Sequence, residues 1–77
     1  MKNKILEALS MGKPSVITSI AAEGIPELVD TENVLIADTP KQFAEKINIL
    51  LSNRQLYQKL AYNGRELIEE KYTWQKV

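Results

Sequence analysis

The sequence contains no cysteine and no histidine among its 77 residues. The absence of cysteine excludes disulfide bonds and thiolate chemistry, and it is typical of proteins in a reducing compartment. The absence of histidine removes the usual proton shuttle and the commonest metal ligand from this chain. Ten lysines and arginines balance ten aspartates and glutamates, so the net charge is zero. That balance gives no electrostatic reason to expect a nucleic-acid partner.

Long apolar runs are missing as well, and none approaches the roughly 20 residues that a transmembrane span needs. Glu7 interrupts the stretch near the start that a signal peptide would require. The sequence shows no glycine-rich phosphate loop, no cluster of metal ligands and no nucleophile triad. A chain of this length is at most one small domain, and such a domain buries only about 60% of its unfolded surface.

What is present in the first 20 residues predicts a helix followed by a buried strand. Asn3 is expected to cap the helix, and Gly12, with Pro14 just beyond it, to end it. Consecutive β-branched residues then predict a strand over 15–20 that is buried on both faces, as in a parallel sheet. The expected apolar face of the helix comprises Ile5, Leu6, Leu9 and Met11.

The middle of the chain predicts a turn and a second strand. Gly24 marks the turn, and Pro26 is expected to open one short helical turn over 26–29. Apolar residues then predict a strand over 33–38. Helices that alternate with strands indicate an α/β layer with parallel strands. Because two strands are too few for a stable sheet standing alone, the pattern resembles part of a domain.

Two helices are predicted in the second half. Thr39, Pro40 and Gln42 form a capping signal for the first of them. The second runs over 54–71, and Gly64 weakens its middle by about 1 kcal/mol relative to alanine. The apolar residues of each helix are expected to fall on one face: Phe43, Ala44, Ile47, Leu50 and Leu51 on the first helix, and Leu56, Leu60, Leu67 and Ile68 on the second.

The segments LEALSMGKPSV, GIPELV and NVLIAD, followed by a helix ending in EEKYTW, carry a family resemblance. In this order they resemble the C-terminal part of GT-B fold glycosyltransferases of the family 4 type, the glycosyl transferases group 1. The resemblance implies an α/β fold, a partial Rossmann-like layer of two parallel strands flanked by helices. It implies that residues 1–77 are a fragment of the nucleotide-sugar-binding domain of a retaining enzyme without an essential metal or cofactor.

The resemblance implies a donor-binding role for Glu7. In the family, an acidic pair spaced Glu-x7-Glu lies across the donor site, and its second glutamate accepts hydrogen bonds from the ribose hydroxyls. Glu7 matches that second glutamate, whereas the first would fall before Met1. An ionised carboxylate suits the role because it is an acceptor only and takes two hydroxyls at once. The alternative is that Glu7 is a solvated helix glutamate.

By the same resemblance, the donor diphosphate lies near Lys2, Asn3 and Lys4, at a helix N-terminus that attracts anions. Many family members have a glycine-rich segment here, so this sequence departs from the pattern. The lysines then supply charge, or they are simply solvated. Gly24 and Glu27 belong to a family-like loop outside the carboxyl end of the first strand, where α/β sheets bind ligands. Alternatively, Glu27 is a helix-start carboxylate favoured by the helix dipole.

Other candidates near the strands and the C-terminus are weaker. Asp38, after the second predicted strand, suggests a phospho-acceptor, but the acidic cluster and distal lysine of such a site cannot be assembled from this sequence. Tyr72 and Trp74 are expected to be packing residues, and Thr73 to cap a further helix.

Three hypotheses of function follow. In the first, the parent enzyme transfers a sugar from a nucleotide-sugar donor, and the isolated chain is inactive because it lacks the N-terminal domain. In the second, the chain is a non-catalytic α/β assembly module that forms homo-oligomers or assembles with another chain, because it has an exposed sheet edge and an incomplete core. In the third, it is a nucleotide-binding domain of another α/β class. The expected location is cytoplasmic, with peripheral membrane association of the parent enzyme as an alternative.

Overall fold

The computed structural model describes residues 2–72 of the chain. The fold is α/β, with two parallel strands flanked by helices, as the sequence predicts. Within residues 2–72, none of the helices is both long and apolar enough to cross a bilayer. The elements are α1 (Lys2–Ser10), β1 (Val16–Ile17), α2 (Ser19–Glu23), β2 (Leu35–Ile36), α3 (Pro40–Ser52) and α4 (Arg54–Lys71).

The sheet pairs Val16 with Leu35 and Ile17 with Ile36. Two ladder hydrogen bonds of 2.9 Å flank this register: the Leu35 N–H donates to the Ser15 carbonyl, and the Ala37 N–H donates to the Ile17 carbonyl. Because successive residues of a strand point to opposite faces, each face receives one residue from each strand. The prediction of a parallel pair buried on both faces is confirmed.

Each face of the sheet has its own hydrophobic cluster. Helix α4 contributes to both clusters, with Leu60 in one and Ile68 in the other, so it ties the two halves of the fold together. Each fully buried aliphatic side chain contributes about 1.5–3 kcal/mol relative to an exposed one. The first cluster contains Ile5, Leu9, Ile17, Ile25, Leu28, Val34 and Ile68, and the second contains Leu35, Leu50 and Leu60.

Helix α1 begins earlier and ends earlier than the apolar pattern indicates. It starts at Lys2, so Asn3 lies inside its first turn, and the prediction that Asn3 caps it is wrong. Met11 falls in the turn after the helix and is 63% exposed, so it is not part of the apolar face. Ile5 and Leu9 alone are fully buried on α1.

The stop signal at Gly12 is confirmed and has a defined geometry. Gly12 has φ of +70°, a conformation that costs other residues energy because of their Cβ atom. The Lys13 N–H donates to the Ala8 carbonyl and the Gly12 N–H donates to the Leu9 carbonyl, each at 3.0 Å. This pair of bonds is a Schellman motif, which satisfies carbonyls at the end of α1.

The strand predicted over 15–20 is shorter, because a helix begins inside it. The Thr18 hydroxyl accepts a 3.1 Å hydrogen bond from the Ala21 N–H and caps α2. Ile20 therefore lies on a helix and is 77% exposed, so its predicted place in a buried strand is wrong. The hydroxyl of a β-branched residue has overridden its preference for strands.

The prediction of a short helical turn over 26–29 is also wrong, because no helix is formed there. Pro26 and Glu27 form a turn, in which the Leu28 N–H donates to the Ile25 carbonyl. The one short helix of this region, α2, lies before the proline and ends at Gly24.

The second strand is likewise shorter than predicted, because the segment before it folds back on it. Asp30 forms an isolated parallel bridge with Val34, and its carboxylate accepts a 2.9 Å hydrogen bond from the Ile36 N–H. Thr31 adopts φ of 71° in this turn, and its N–H donates to the Val34 carbonyl at 2.7 Å. Asp30 thus closes the outer edge of β2 in place of a third strand.

The cap predicted for α3 is confirmed at Thr39 and Pro40, and α4 has a cap of the same kind at Asn53. The Thr39 hydroxyl accepts from the Gln42 N–H at 3.1 Å, and Pro40 takes the first helical position. The Gln42 side chain accepts from the Asp38 N–H at 2.8 Å, one residue before the partner that a capping box uses. Asn53 caps α4 through a 3.0 Å bond from the Leu56 N–H.

The apolar face predicted for α3 is mostly unburied. Only Leu50 is buried, whereas Ile47 is 44% exposed and Leu51 is 75% exposed. Phe43 is half-buried and Ala44 is exposed. The five residues therefore lie at the spacing of one helix face, but most of that face is not covered within the described residues. On α4, Leu60 and Ile68 are buried as predicted.

Gly64 has a packing role that the sequence does not reveal. It is buried in α4, and a Cβ atom at this position would lie 2.8 Å from Leu9 Cδ2 on α1. The missing side chain lets α1 and α4 approach closely. Trp74 and Thr73, for which packing and capping are predicted, lie outside the described residues.

Candidate functional site

The exposed side of α1 carries three of the predicted donor-binding residues: Asn3, Lys4 and Glu7 are all exposed. The opposite side of the helix is anchored in the core through Ile5 and Leu9. Side chains three and four positions apart are neighbours on a helix, so Asn3 and Lys4 both flank Glu7. The structure thus brings these three residues together on one solvent-facing surface.

The Glu7 carboxylate has no hydrogen bond or ion pair within residues 2–72. The backbone carbonyl of Glu7, in contrast, accepts hydrogen bonds from the Met11 N–H at 3.2 Å and from the Ser10 hydroxyl at 2.7 Å. The Glu7 side chain is exposed on a regular helix. Such a group can accept hydrogen bonds from ligand hydroxyls without first breaking an internal contact.

The Lys2 side chain takes a different direction from these three and reaches toward Tyr72. Its ammonium lies 5.9 Å from the centroid of the Tyr72 ring, just beyond the C-terminus of α4. This distance is within the range of a cation–π interaction. The N-terminus of α1 thus carries two exposed lysines, Lys4 beside Glu7 and Lys2 over the Tyr72 ring.

Tyr72 also contacts Glu27, the loop residue singled out in the sequence. The Tyr72 hydroxyl donates a 2.6 Å hydrogen bond to Glu27 Oε1 and holds the pKa of this carboxyl below its ordinary value. The positive charges of Lys71 and Lys2 lower that pKa further. The same hydrogen bond, with the negative charge of Glu27, raises the pKa of the Tyr72 phenol.

Gly24, the other loop candidate, is the C-cap of α2. Its N–H donates to the Ala21 carbonyl at 3.3 Å, and its φ of −72° is ordinary for any residue. Its observed role is therefore to end a helix.

The sequence missed the link that joins Lys2 to Glu27. Tyr72 packs half-buried against the first cluster, as the sequence predicts, and it also donates a hydrogen bond to Glu27, 45 positions away. No local pattern signals a contact over that separation. Asp38 has a structural partner as well: its carboxylate accepts from the N–H and the hydroxyl of Ser19, at 2.9 and 3.0 Å.

Acidic residues on α4 form a second polar surface. Glu66 accepts a hydrogen bond from Tyr62, which raises the pKa of that phenol, and Arg65 pairs with Glu69 at 3.5 Å. In the part of the chain that the structure describes, the acidic residues do not gather into a group of three or more that could hold a metal ion.

Comparisons with known proteins give a family for the whole arrangement. A family model described as Glycosyl transferases group 1 matches residues 1–53, which include α1, the loop with Glu27 and both strands. Spore coat protein SA of Bacillus subtilis (strain 168) is 37% identical over 75 residues, covering 92% of this chain and 19% of that protein. No solved structure matches the chain at a significant level. This chain spans about a fifth of the length of its curated relative, and it belongs to the glycosyl transferases group 1 family.

Proposed function

We propose that residues 1–77 form part of the nucleotide-sugar-binding half of a retaining glycosyltransferase. The observation that carries the proposal is the exposed side of α1, where an unpartnered carboxylate lies beside a lysine near the helix N-terminus. The family match covers this helix completely. Family membership supports sugar transfer as the reaction class, and the exposed carboxylate supports a ligand with hydroxyl groups.

The residues of α1 take separate roles in this proposal. Glu7 accepts hydrogen bonds from the ribose hydroxyls of the donor nucleotide. The N–H groups of the first turn, with Lys2, Asn3 and Lys4, bind the diphosphate, because unpaired N–H groups and the helix dipole favour an anion there. The loop that contains Gly24 and Glu27 forms the adjacent wall.

In this proposal the chain works as a piece of a longer enzyme. The relative that it matches is about five times as long, since the match covers 19% of that protein. The acceptor and the remaining donor contacts come from an N-terminal domain across a cleft. The 77-residue chain alone is therefore expected to bind nucleotide weakly and not to turn over a nucleotide sugar; turnover by the purified chain contradicts this part of the proposal.

A titration of the chain with UDP and GDP, followed by NMR chemical shifts, tests the donor-binding role. We expect weak, millimolar-range binding with the largest shift changes over residues 2–8, in line with the modest energy of exposed charged contacts. Shift changes centred on α4, or none at all up to solubility, contradict the role. Inorganic phosphate at equal ionic strength is the control for nonspecific anion effects.

A second candidate function is self-assembly, which the unequal edges of the sheet favour. Asp30 closes the outer edge of β2, whereas the Val16 N–H and C=O on β1 point away from β2 and have no partner within residues 2–72. Helix α3, which contacts β1, exposes Ile47 and Leu51. An open edge beside exposed apolar residues invites another strand.

Light scattering over a range of protein concentrations tests this second candidate. Assembly through this surface predicts a mass that rises with concentration and that falls to the monomer value in Leu51→Glu. Met11→Glu introduces the same change at another exposed apolar residue and is the matched control. A monomer at all concentrations excludes assembly of the isolated chain.

A further inference from the structure

Tyr72 joins three segments that are far apart in the sequence. Its hydroxyl bonds Glu27 in the loop at 2.6 Å, and its ring lies half-buried against the first hydrophobic cluster. The Lys2 ammonium lies 5.9 Å from the centroid of the same ring. The end of α4 therefore contacts the loop and the first turn of α1 at once.

The arrangement keeps two opposite charges near each other but unpaired. The hydrogen bond from Tyr72 is the main cause that lowers the pKa of Glu27, and the positive charge of Lys2 adds a smaller effect in the same direction. Within the described residues, however, no ion pair joins them: Lys2 contacts the ring, and Glu27 accepts from the phenol. The carboxylate is held at the hydroxyl, on the edge of the Tyr72 ring, whereas the ammonium lies over the ring itself.

The partner of Lys2 decides whether its charge is available to a ligand. In an ion pair, the ammonium directs one or two of its three N–H donors at a carboxylate, whose negative charge offsets its own. Over a ring face, the ammonium is attracted by the quadrupole but keeps N–H donors for other acceptors. An anion approaching the N-terminus of α1 thus meets a lysine that is positioned and still charged.

We propose that Tyr72 is a positioning residue that keeps Glu27 away from Lys2 and so leaves the Lys2 ammonium available to the donor diphosphate. The proposal rests on the proposed donor-binding function, because the diphosphate is its ligand. Tyr72 itself touches no donor atom in this account. It acts through Lys2 and Glu27.

Three variants test the proposal in UDP titrations followed by NMR. Tyr72→Phe keeps the ring and removes the hydroxyl, so Glu27 is released to pair with Lys2, and UDP affinity is expected to fall about two- to fivefold. Glu27→Gln removes the competing charge, and its own UDP affinity, whatever contact the loop makes with the donor, is the reference for the double variant. The double variant is expected to bind like Glu27→Gln.

Comparison of Tyr72→Phe with the double variant separates a positioning role of Tyr72 from a general loosening of the end of α4. If Tyr72→Phe only destabilises the end of α4, affinity falls equally in the single and double variants, and this result overturns the proposal. Unchanged affinity in Tyr72→Phe overturns it as well.

A measurement without nucleotide separates this proposal from the donor-binding function. The ε-methylene protons of Lys2 are expected to be shifted upfield by the Tyr72 ring. They should lose this shift in Tyr72→Phe and regain it when Glu27→Gln is added. An unchanged Lys2 shift in Tyr72→Phe overturns the positioning role whether or not UDP binds. If the unchanged chain binds no UDP, the donor role fails, and the Lys2 shifts alone decide whether Tyr72 separates the two charges.

Discussion

Gly64→Ala tests the close packing of α1 against α4. Two effects oppose each other at this position. Alanine is favoured over glycine in a helix interior by about 1 kcal/mol. The new Cβ atom, however, would lie 2.8 Å from Leu9 Cδ2, closer than side chains tolerate. Leu9 is 1% exposed and has little room to move, and overpacking a core of this kind costs about 1–3 kcal/mol.

The net expectation is that Gly64→Ala lowers the free energy of unfolding by about 0–2 kcal/mol, measured by urea denaturation with circular dichroism. Gly24→Ala is the matched control, because its φ is −72° and its nearest neighbour, the Ala21 carbonyl oxygen, is 3.6 Å away. That control is expected to be neutral or slightly stabilising, by up to about 1 kcal/mol. A Gly64→Ala protein that is about 1 kcal/mol more stable than the unchanged chain would refute the packing argument.

Three further predictions concern the sheet edge, a helix cap and the loop contact. Asp30→Ala removes the acceptor of the Ile36 N–H and is expected to cost about 1 kcal/mol in urea denaturation and to promote association in light scattering. Thr39→Ala is expected to cost about 1 kcal/mol in the same denaturation assay, whereas Thr39→Ser retains most of the stability. The Glu27–Tyr72 bond is expected to stabilise the fold fully between pH 4.5 and 10.0, because the pKa of Glu27 is lowered from 4.5 and that of Tyr72 is raised from 10.0. Its contribution is lost as the pH falls through the pKa of folded Glu27 or rises through that of folded Tyr72, which carboxyl and ring NMR shifts will follow.

Features of the fold that depend on a few neighbouring residues could be predicted from the sequence. Thr39 with Pro40 sets the start of α3, and Gly12 sets the end of α1, because each cap depends on side chains and backbone angles within one turn. The parallel pairing of the strands also follows from the run of consecutive apolar residues.

Competition between local signals explains why some predictions for the first half of the chain are wrong. The stretch around Thr18 combines β-branched residues, which favour a strand, with a hydroxyl that caps a helix. The cap prevails after two strand residues, and Ile20 becomes exposed. Periodicity also overestimates burial on α3, since it identifies an apolar face without showing what covers it.

Contacts between distant segments could not be predicted from the sequence. The sequence indicates only that Gly64 weakens a helix, whereas the structure shows that it makes room for Leu9. The sequence indicates only that Tyr72 packs, whereas in the structure it also contacts Glu27 and Lys2. The exposed side of α1 could be predicted as a surface, whereas its role as a donor site stays a prediction.

The most direct test of the central claim, that Glu7 binds the ribose of a donor nucleotide, is a thermodynamic cycle measured by NMR titration. UDP and its 2′,3′-dideoxy analogue are titrated into the unchanged chain and into Glu7→Ala, with Glu45→Ala as a control at another exposed helix glutamate. Loss of the hydroxyls is expected to weaken binding to the unchanged chain and to Glu45→Ala, but not to Glu7→Ala. An equal loss in all three proteins, or no binding of UDP to the unchanged chain, would contradict it.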